Sequence, residues 1–138
     1  MAVERTLILA KPDAVRRSLA GEILARFERR GFTLRAARFL RVDRSLAEEH
    51  YAEHEAKAFF GELVDFITDG PTLAFVLEGE GVIATARTTI GATNPADADP
   101  GSIRGDLASS MPDNLVHGSD SADSARREIA LWFPDGLV

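Results

Sequence analysis

Two short runs, Thr6–Ala10 ("TLILA") and Thr72–Leu77 ("TLAFVL"), are apolar at almost every position. Runs of this length, bounded by turn residues, read as strands buried in a sheet. "KPD" closes the first, so a turn is expected there. The segments around these strands switch period. Leu19, Ile23, Leu24 and Phe27 recur at helical spacing, and Gly31 follows as a C-terminal cap. From Phe32 to Val42 the even positions are apolar, Arg38 excepted, which is the period of a half-exposed strand. "SLAE" at Ser45–Glu48 matches a capping box and predicts a helix carrying "EEHYAEH". Phe59, Phe60, Leu63, Phe66 and Ile67 predict a second helix, closed by "DGP". Val82, Ile83, Ala86 and Ile90 predict a third, "NLVH" at Asn114–His117 a strand, and Ala122, Ala125, Ile129, Trp132 and Phe133 a last helix.

Strand–helix–strand, a helical pair, then strand–helix–strand–helix amounts to two βαβ halves around one sheet. The expected fold is α+β, a ferredoxin-like sandwich whose antiparallel four-stranded sheet is covered by helices. Residues 1–138 are the size of one domain. Ala92–Asn114 holds three prolines and little periodicity, so a long irregular loop is expected, with a short helix near "SIRGDL". Loops that long inside compact domains are usually functional or disordered.

The net charge of −6 disfavours nucleic-acid binding, which needs a basic face. The chain has no cysteine, excluding disulfides and thiolate metal sites. The N-terminal apolar run is too short for a secretory signal, and no stretch approaches the roughly 20 apolar residues of a membrane helix. A cytoplasmic, membrane-free protein is expected. Neither a Walker-type phosphate loop, a complete dinucleotide fingerprint nor the kinase elements H-R-D and D-F-G are present. If this acidic protein handles phosphates, side chains must gather positive charge locally, or a metal ion must supply it.

The chain has three histidines. His50 and His54 belong to "HYAEH", which formally matches an inverted zinc-peptidase pattern, H-x-x-E-H, with Glu53 as the acid. On a continuous helix the two would share a face. The plainer reading is two histidines on the solvent face of a charged helix, since a catalytic zinc normally takes three protein ligands. His117 is different. In "NLVHGSDS" it ends a strand and precedes a glycine and three residues able to cap a helix. Gly118 would let another group approach closely. A neutral imidazole is a competent nucleophile. Glu128, about two turns into the last helix, could reach one ring nitrogen and leave the other free.

"KPDA", "ATNPADADPGSIRGD", "NLVHGSDS" and "EIALWF", with "HYAEHEAKAFFGELVDFITDGP" between, together resemble the nucleoside diphosphate kinase family over Glu4 to Phe133. The resemblance implies transfer of the γ-phosphate of a nucleoside triphosphate, mainly ATP, to a nucleoside diphosphate, by a ping-pong route through phosphohistidine on His117. It implies that Glu128 and Ser119 orient His117. Lys11 would contact the phosphates and the ribose 3′-hydroxyl, and Arg87, Arg104 and Thr93 would meet phosphate oxygens. Asn114 would hold the ribose, Phe59 would stack on the base, and Tyr51 would lie near the site. The implied cofactor is Mg²⁺, held by nucleotide phosphates with no ligand directly from protein side chains. The implied assembly is a homo-oligomer, a hexamer or tetramer of identical chains, with Pro95 in a loop at subunit contacts.

Overall fold

The computed structural model describes residues 2–138. Four strands form one antiparallel sheet in the order β2-β3-β1-β4. They are β1 (Val3–Ala10), β2 (Thr33–Arg41), β3 (Pro71–Glu80) and β4 (Val116–Gly118). The helices are α1 (Pro12–Arg16), α2 (Ala20–Arg29), α3 (Arg44–His50), α4 (Phe60–Thr68), α5 (Val82–Ile90), α6 (Ile103–Leu107) and α7 (Ala122–Trp132). Single 3-10 turns stand at Ala52–His54 and Pro95–Asp97. The expected α+β sandwich is therefore the architecture found.

The two apolar runs pair with each other over their whole length, Leu7 opposite Val76 and Leu9 opposite Ala74. Successive side chains on a strand face opposite sides of the sheet. Ile8, Ala10, Phe75 and Leu77 thus enter one core with Ile23 and Phe27 of α2 and Ala86 and Ile90 of α5. Leu7, Leu9, Ala74 and Val76 enter a second with Ala47 of α3, Val64 and Ile67 of α4, and Trp132 of α7. Both runs lack a polar alternate because helices cover both faces.

Strand β2 departs from simple alternation. A bulge between Leu34 and Ala36 places Leu34 opposite Leu77 but Ala36 opposite Val76. The even positions therefore change sides, Leu34 facing the first core and Ala36 and Leu40 the second. Arg38, the polar exception, lies on the second face and donates to the Trp132 carbonyl at 2.9 Å. Phe39 is left 64% exposed on the strand's outer half.

Several local expectations are corrected. "KPD" does not form a simple turn: Pro12 opens α1, where its missing N–H costs nothing. The strand at "NLVH" joins the ladder only from Val116, because Leu115 has a positive φ. The cap of α3 is Asp43, whose carboxylate accepts the Leu46 N–H at 2.8 Å, and not Ser45 of the capping-box pattern. That helix stops at His50, and Tyr51 leads into the 3-10 turn. His50 and His54 therefore do not share one helical face. His50 is buried, so neither the zinc pattern nor the solvent-face reading describes it. The loop 92–114 is irregular as expected, and it contains the short helix α6 at "SIRGDL", capped by Ser102. Gly118 does have a close neighbour, but it is the core residue Ile90.

Helix α6 lies so close to the loop before it that its middle residue must be glycine. A Cβ on Gly105 would overlap the Asp99 carbonyl and come within 2.8 Å of Ser102 Oγ. Backbone cannot yield as a side chain can. Gly105→Ala should lower the unfolding free energy by about 1–3 kcal/mol, the cost of overpacking, as read from urea denaturation. A change below about 0.5 kcal/mol, the size of an ordinary surface substitution, would mean that loop 98–102 moves freely.

Candidate active site

Strand β4 lies against β1 with His117 opposite Leu9. Paired residues share a face, so His117 projects into the side covered by α3, α4 and α7. Helix α7, capped by Ser121 accepting the Ser124 N–H, delivers Glu128 to it. His117 Nε2 lies 2.9 Å from Glu128 Oε1, and Ser119 Oγ donates to the same oxygen at 2.7 Å. The Ser119 hydroxyl is held in turn by the Leu7 N–H at 3.2 Å. Burial alone would raise the Glu128 pKa. The His117 and Ser119 hydrogen bonds and the histidine charges outweigh it and bring it down to about 2. An ionised carboxylate only accepts, so His117 Nε2 carries a hydrogen. The lone pair of the neutral ring is then on Nδ1. The side chain is 24% exposed, enough for a ligand to reach it.

His50 packs edge-on against His117, with ring centroids 4.8 Å apart. Its Nδ1 accepts from Trp132 Nε1 at 3.0 Å, inside the core. Burial, reinforced by His117, pushes its pKa down to about 3, so it stays neutral at physiological pH. Among the described residues, His50, His117 and Glu128 form the cluster close enough to suggest a metal site. The donor set does not suit one. A ligating histidine donates through its second nitrogen, whereas that nitrogen of His50 accepts from Trp132, leaving Nε2 protonated. Glu128 Oε1 already holds two donors.

The cationic residues converge on the backbone flanking His117. Arg87 Nη1 donates to the Gly118 carbonyl at 3.2 Å. Arg104 donates from Nε to Asn114, from Nη1 to Gly91 and from Nη2 to Val116, at 3.1, 3.1 and 2.6 Å. It is buried with all three nitrogens on carbonyls, so it clamps the chain as well as bringing charge. Burial, then the nearby Arg87, lowers its pKa to about 10, leaving it charged at neutral pH. Lys11 stands between β1 and α1 with 8% of its surface exposed. Its Nζ donates to Asn114 Oδ1 at 2.5 Å and to the Pro112 carbonyl at 3.4 Å. Burial lowers its pKa to about 8, opposed by Asp13 and assisted by Arg104. Asn114 Nδ2 donates to the Thr93 carbonyl at 2.9 Å, joining the long loop to Lys11. Thr93 is itself exposed, and with Arg87 and Gly91 it lines a cavity of about 390 Å³.

Tyr51 caps the end of α3, half-buried beside His50. Burial, with the Glu128 charge, raises its pKa to about 12, so its hydroxyl is a neutral donor. Phe59 and Phe60, which helical spacing alone does not separate, differ here. Phe60 packs on the second core, while Phe59 is 44% exposed and leans on His54 at 5.7 Å.

Sequence reasoning missed His50, Trp132, Arg127 and Asp13 as parts of this cluster. Arg127 donates to the carbonyls of Glu49 and His50, fastening the end of α3 to α7. The signal available was "REIALWF", where Arg127 and Trp132 flank Glu128, but their partner lies 77 or more positions away.

The chain is similar to known proteins over nearly its whole length. The sequence profile described as nucleoside diphosphate kinase matches residues 4–138. A protein called nucleoside diphosphate kinase 1 from Spinacia oleracea is 57% identical over 136 residues, covering 99% of this chain and 92% of that protein. The nucleoside diphosphate kinase of Rubrobacter xylanophilus is 60% identical over 131 residues, covering 95% and 98%. A crystal structure of a nucleoside diphosphate kinase family protein from Babesia bovis superposes with a TM-score of 0.95 at 46% identity, covering 98% of this chain and 92% of that one. The chain belongs to the nucleoside diphosphate kinase family.

Proposed function

We propose that this protein transfers the γ-phosphate of a nucleoside triphosphate, mainly ATP, to a nucleoside diphosphate through a phosphohistidine on His117. The single observation that best supports the reading is the 2.9 Å bond from His117 Nε2 to a buried, ionised Glu128. It leaves Nδ1 as the nucleophile. In the first half-reaction Nδ1 attacks the γ-phosphorus, the bond to the bridging oxygen breaks, and the nucleoside diphosphate departs. The second half-reaction reverses this with a different diphosphate. Splitting the transfer means that one site need hold only one nucleotide at a time.

Phosphoryl transfer is chiefly positioning plus neutralisation of charge. Lys11, Arg87 and Arg104 bring positive charge to the His117 segment of a chain whose net charge is −6. Magnesium would be held by the nucleotide phosphates rather than by protein side chains, and would supply further positive charge against the developing negative charge. Thr93, which lines the same cavity as Arg87, donates to a phosphate oxygen. A ribose hydroxyl joins the Lys11–Asn114 pair. The base stacks on the exposed face of Phe59, which offers every base the same π-surface, and Tyr51 lies near the site. Serving small nucleotides, the chain works in the cytoplasm as a single domain. It assembles as a homo-oligomer, with a hexamer favoured over a tetramer; exposed Leu34 and Phe39 on edge strand β2 are the apolar surface that supports assembly.

Incubation with γ-labelled ATP should place acid-labile label on His117, located by peptide mapping. A folded protein that takes no label would end this reading. Nucleotide binding should also depend on Lys11. Its lowered pKa means that the free protein loses this charge as pH rises through about 8, and a polyanion prefers the charged form. Affinity for a nucleoside diphosphate, measured by calorimetry, should therefore fall above about pH 8. Lys11→Arg should bind with a flatter profile over that range. Sedimentation equilibrium should return a hexamer of the 15.0 kDa chain; a monomer would exclude the assembly.

A further inference from the structure

The segment that delivers His117 is held in a conformation that leucine avoids. Leu115 has φ +71°, and the Val116 N–H donates to the Asn114 carbonyl at 2.8 Å. This is a γ-turn of the rare positive-φ kind. Such backbone persists only where its surroundings over-determine it. Here they do. Arg104 Nε holds the Asn114 carbonyl at 3.1 Å, and Arg104 Nη2 holds the Val116 carbonyl at 2.6 Å. The Lys11 N–H holds the Leu115 carbonyl at 2.9 Å. The Leu115 N–H donates to Asp13 Oδ2, also at 2.9 Å.

We propose that Asp13 is a positioning residue for phosphoryl transfer, its carboxylate gripping the Leu115 amide so that the strained turn aims His117 two residues later. The inference rests on the reading of His117 as the phosphoryl acceptor. Asp13 also sits in the first turn of α1, where an acidic residue is favourable by the helix dipole. That does not account for its burial. Asp13 is 5% exposed, and its second oxygen, Oδ1, is buried with no partner among the described residues. An acid serving the helix dipole alone would keep its oxygens in water. This one is withdrawn onto a backbone amide 102 residues away.

Gripping an N–H requires an acceptor rather than a charge, and this separates the proposal from its rivals. Asp13→Asn keeps an oxygen for Leu115 and should hold kcat within about threefold of the parent. Asp13→Ala leaves a strained turn with an unmatched N–H. It should lower kcat by about 10- to 100-fold, the scale of loss from a displacement near 1 Å. Asp13 also supports the Lys11 charge, so KM is compared at pH 6.5, below the Lys11 pKa of about 8; there KM for either nucleotide should change less than threefold, since Asp13 touches no nucleotide in this reading. Three results would overturn the proposal: unchanged kcat in Asp13→Ala, equal damage in both variants, or a raised KM with kcat intact. If Asp13→Ala does not fold, amide exchange by NMR on the parent and Asp13→Asn decides. Strong protection of the Leu115 amide in both supports the clamp, and rapid exchange in the folded parent refutes it. Labelling of His117 in the parent is scored separately. Should it fail, the kinase reading falls, while Leu115 exchange still reports on the clamp.

Discussion

One oxygen atom organises this site. Glu128 Oε1 accepts from both His117 and Ser119, and each bond has a separate consequence. The first assigns the hydrogen of the imidazole to Nε2 and frees Nδ1. The second ties the carboxylate to the sheet, because the Ser119 hydroxyl is itself held by the Leu7 amide in β1. A buried carboxylate is costly unless several donors stabilise its charge. These donors keep Glu128 ionised against the pull of burial, so His117 faces a fixed acceptor. Among the described residues no comparable bond holds Nδ1, and in the proposed reaction that asymmetry directs the ring as a nucleophile.

Helix α7 carries most of this control. Glu128 reaches His117, Arg127 holds the last carbonyls of α3, and Trp132 donates to His50. Through these bonds the helix that ends at His50 is locked to the helix that carries Glu128. His50 contributes a neutral wall on which His117 rests edge-on. A charged group there would compete with His117 for Glu128. On the other side of the histidine, Lys11, Asn114, Arg87 and Arg104 are bonded to one another or to main-chain carbonyls. The positive charge is thus prearranged, so little reorganisation remains when an anion arrives.

Much of this was legible in the residues. Apolar runs at β1 and β3, and helical spacing at α2, α5 and α7, identified the layers correctly, because periodicity is a local consequence of burial on one side or two. The recognisable strings around Lys11, Arg104 and His117 named candidate site residues before any contact was known. Other features were hidden for physical reasons. The bulge at Leu34–Ala36 moves an apolar stripe from one face to the other, and alternation alone cannot register an inserted residue. "HYAEH" looked like one helical surface, yet α3 ends inside it. Asn114 and Arg104 were expected to meet ligand, and the fold additionally occupies their polar atoms with Lys11 and the main chain.

What the sequence determined by itself was the inventory: which segments bury one face or two, in what order they come, and which side chains are available for phosphoryl chemistry. Only the tertiary structure decided which nitrogen of His117 is free, which histidine is a neutral packing partner, which phenylalanine faces solvent, and how Leu115 is kept in its strained turn. Each of those outcomes depends on hydrogen bonds or packing between residues far apart in the chain. Spacing along a sequence reports only the contacts that local geometry enforces.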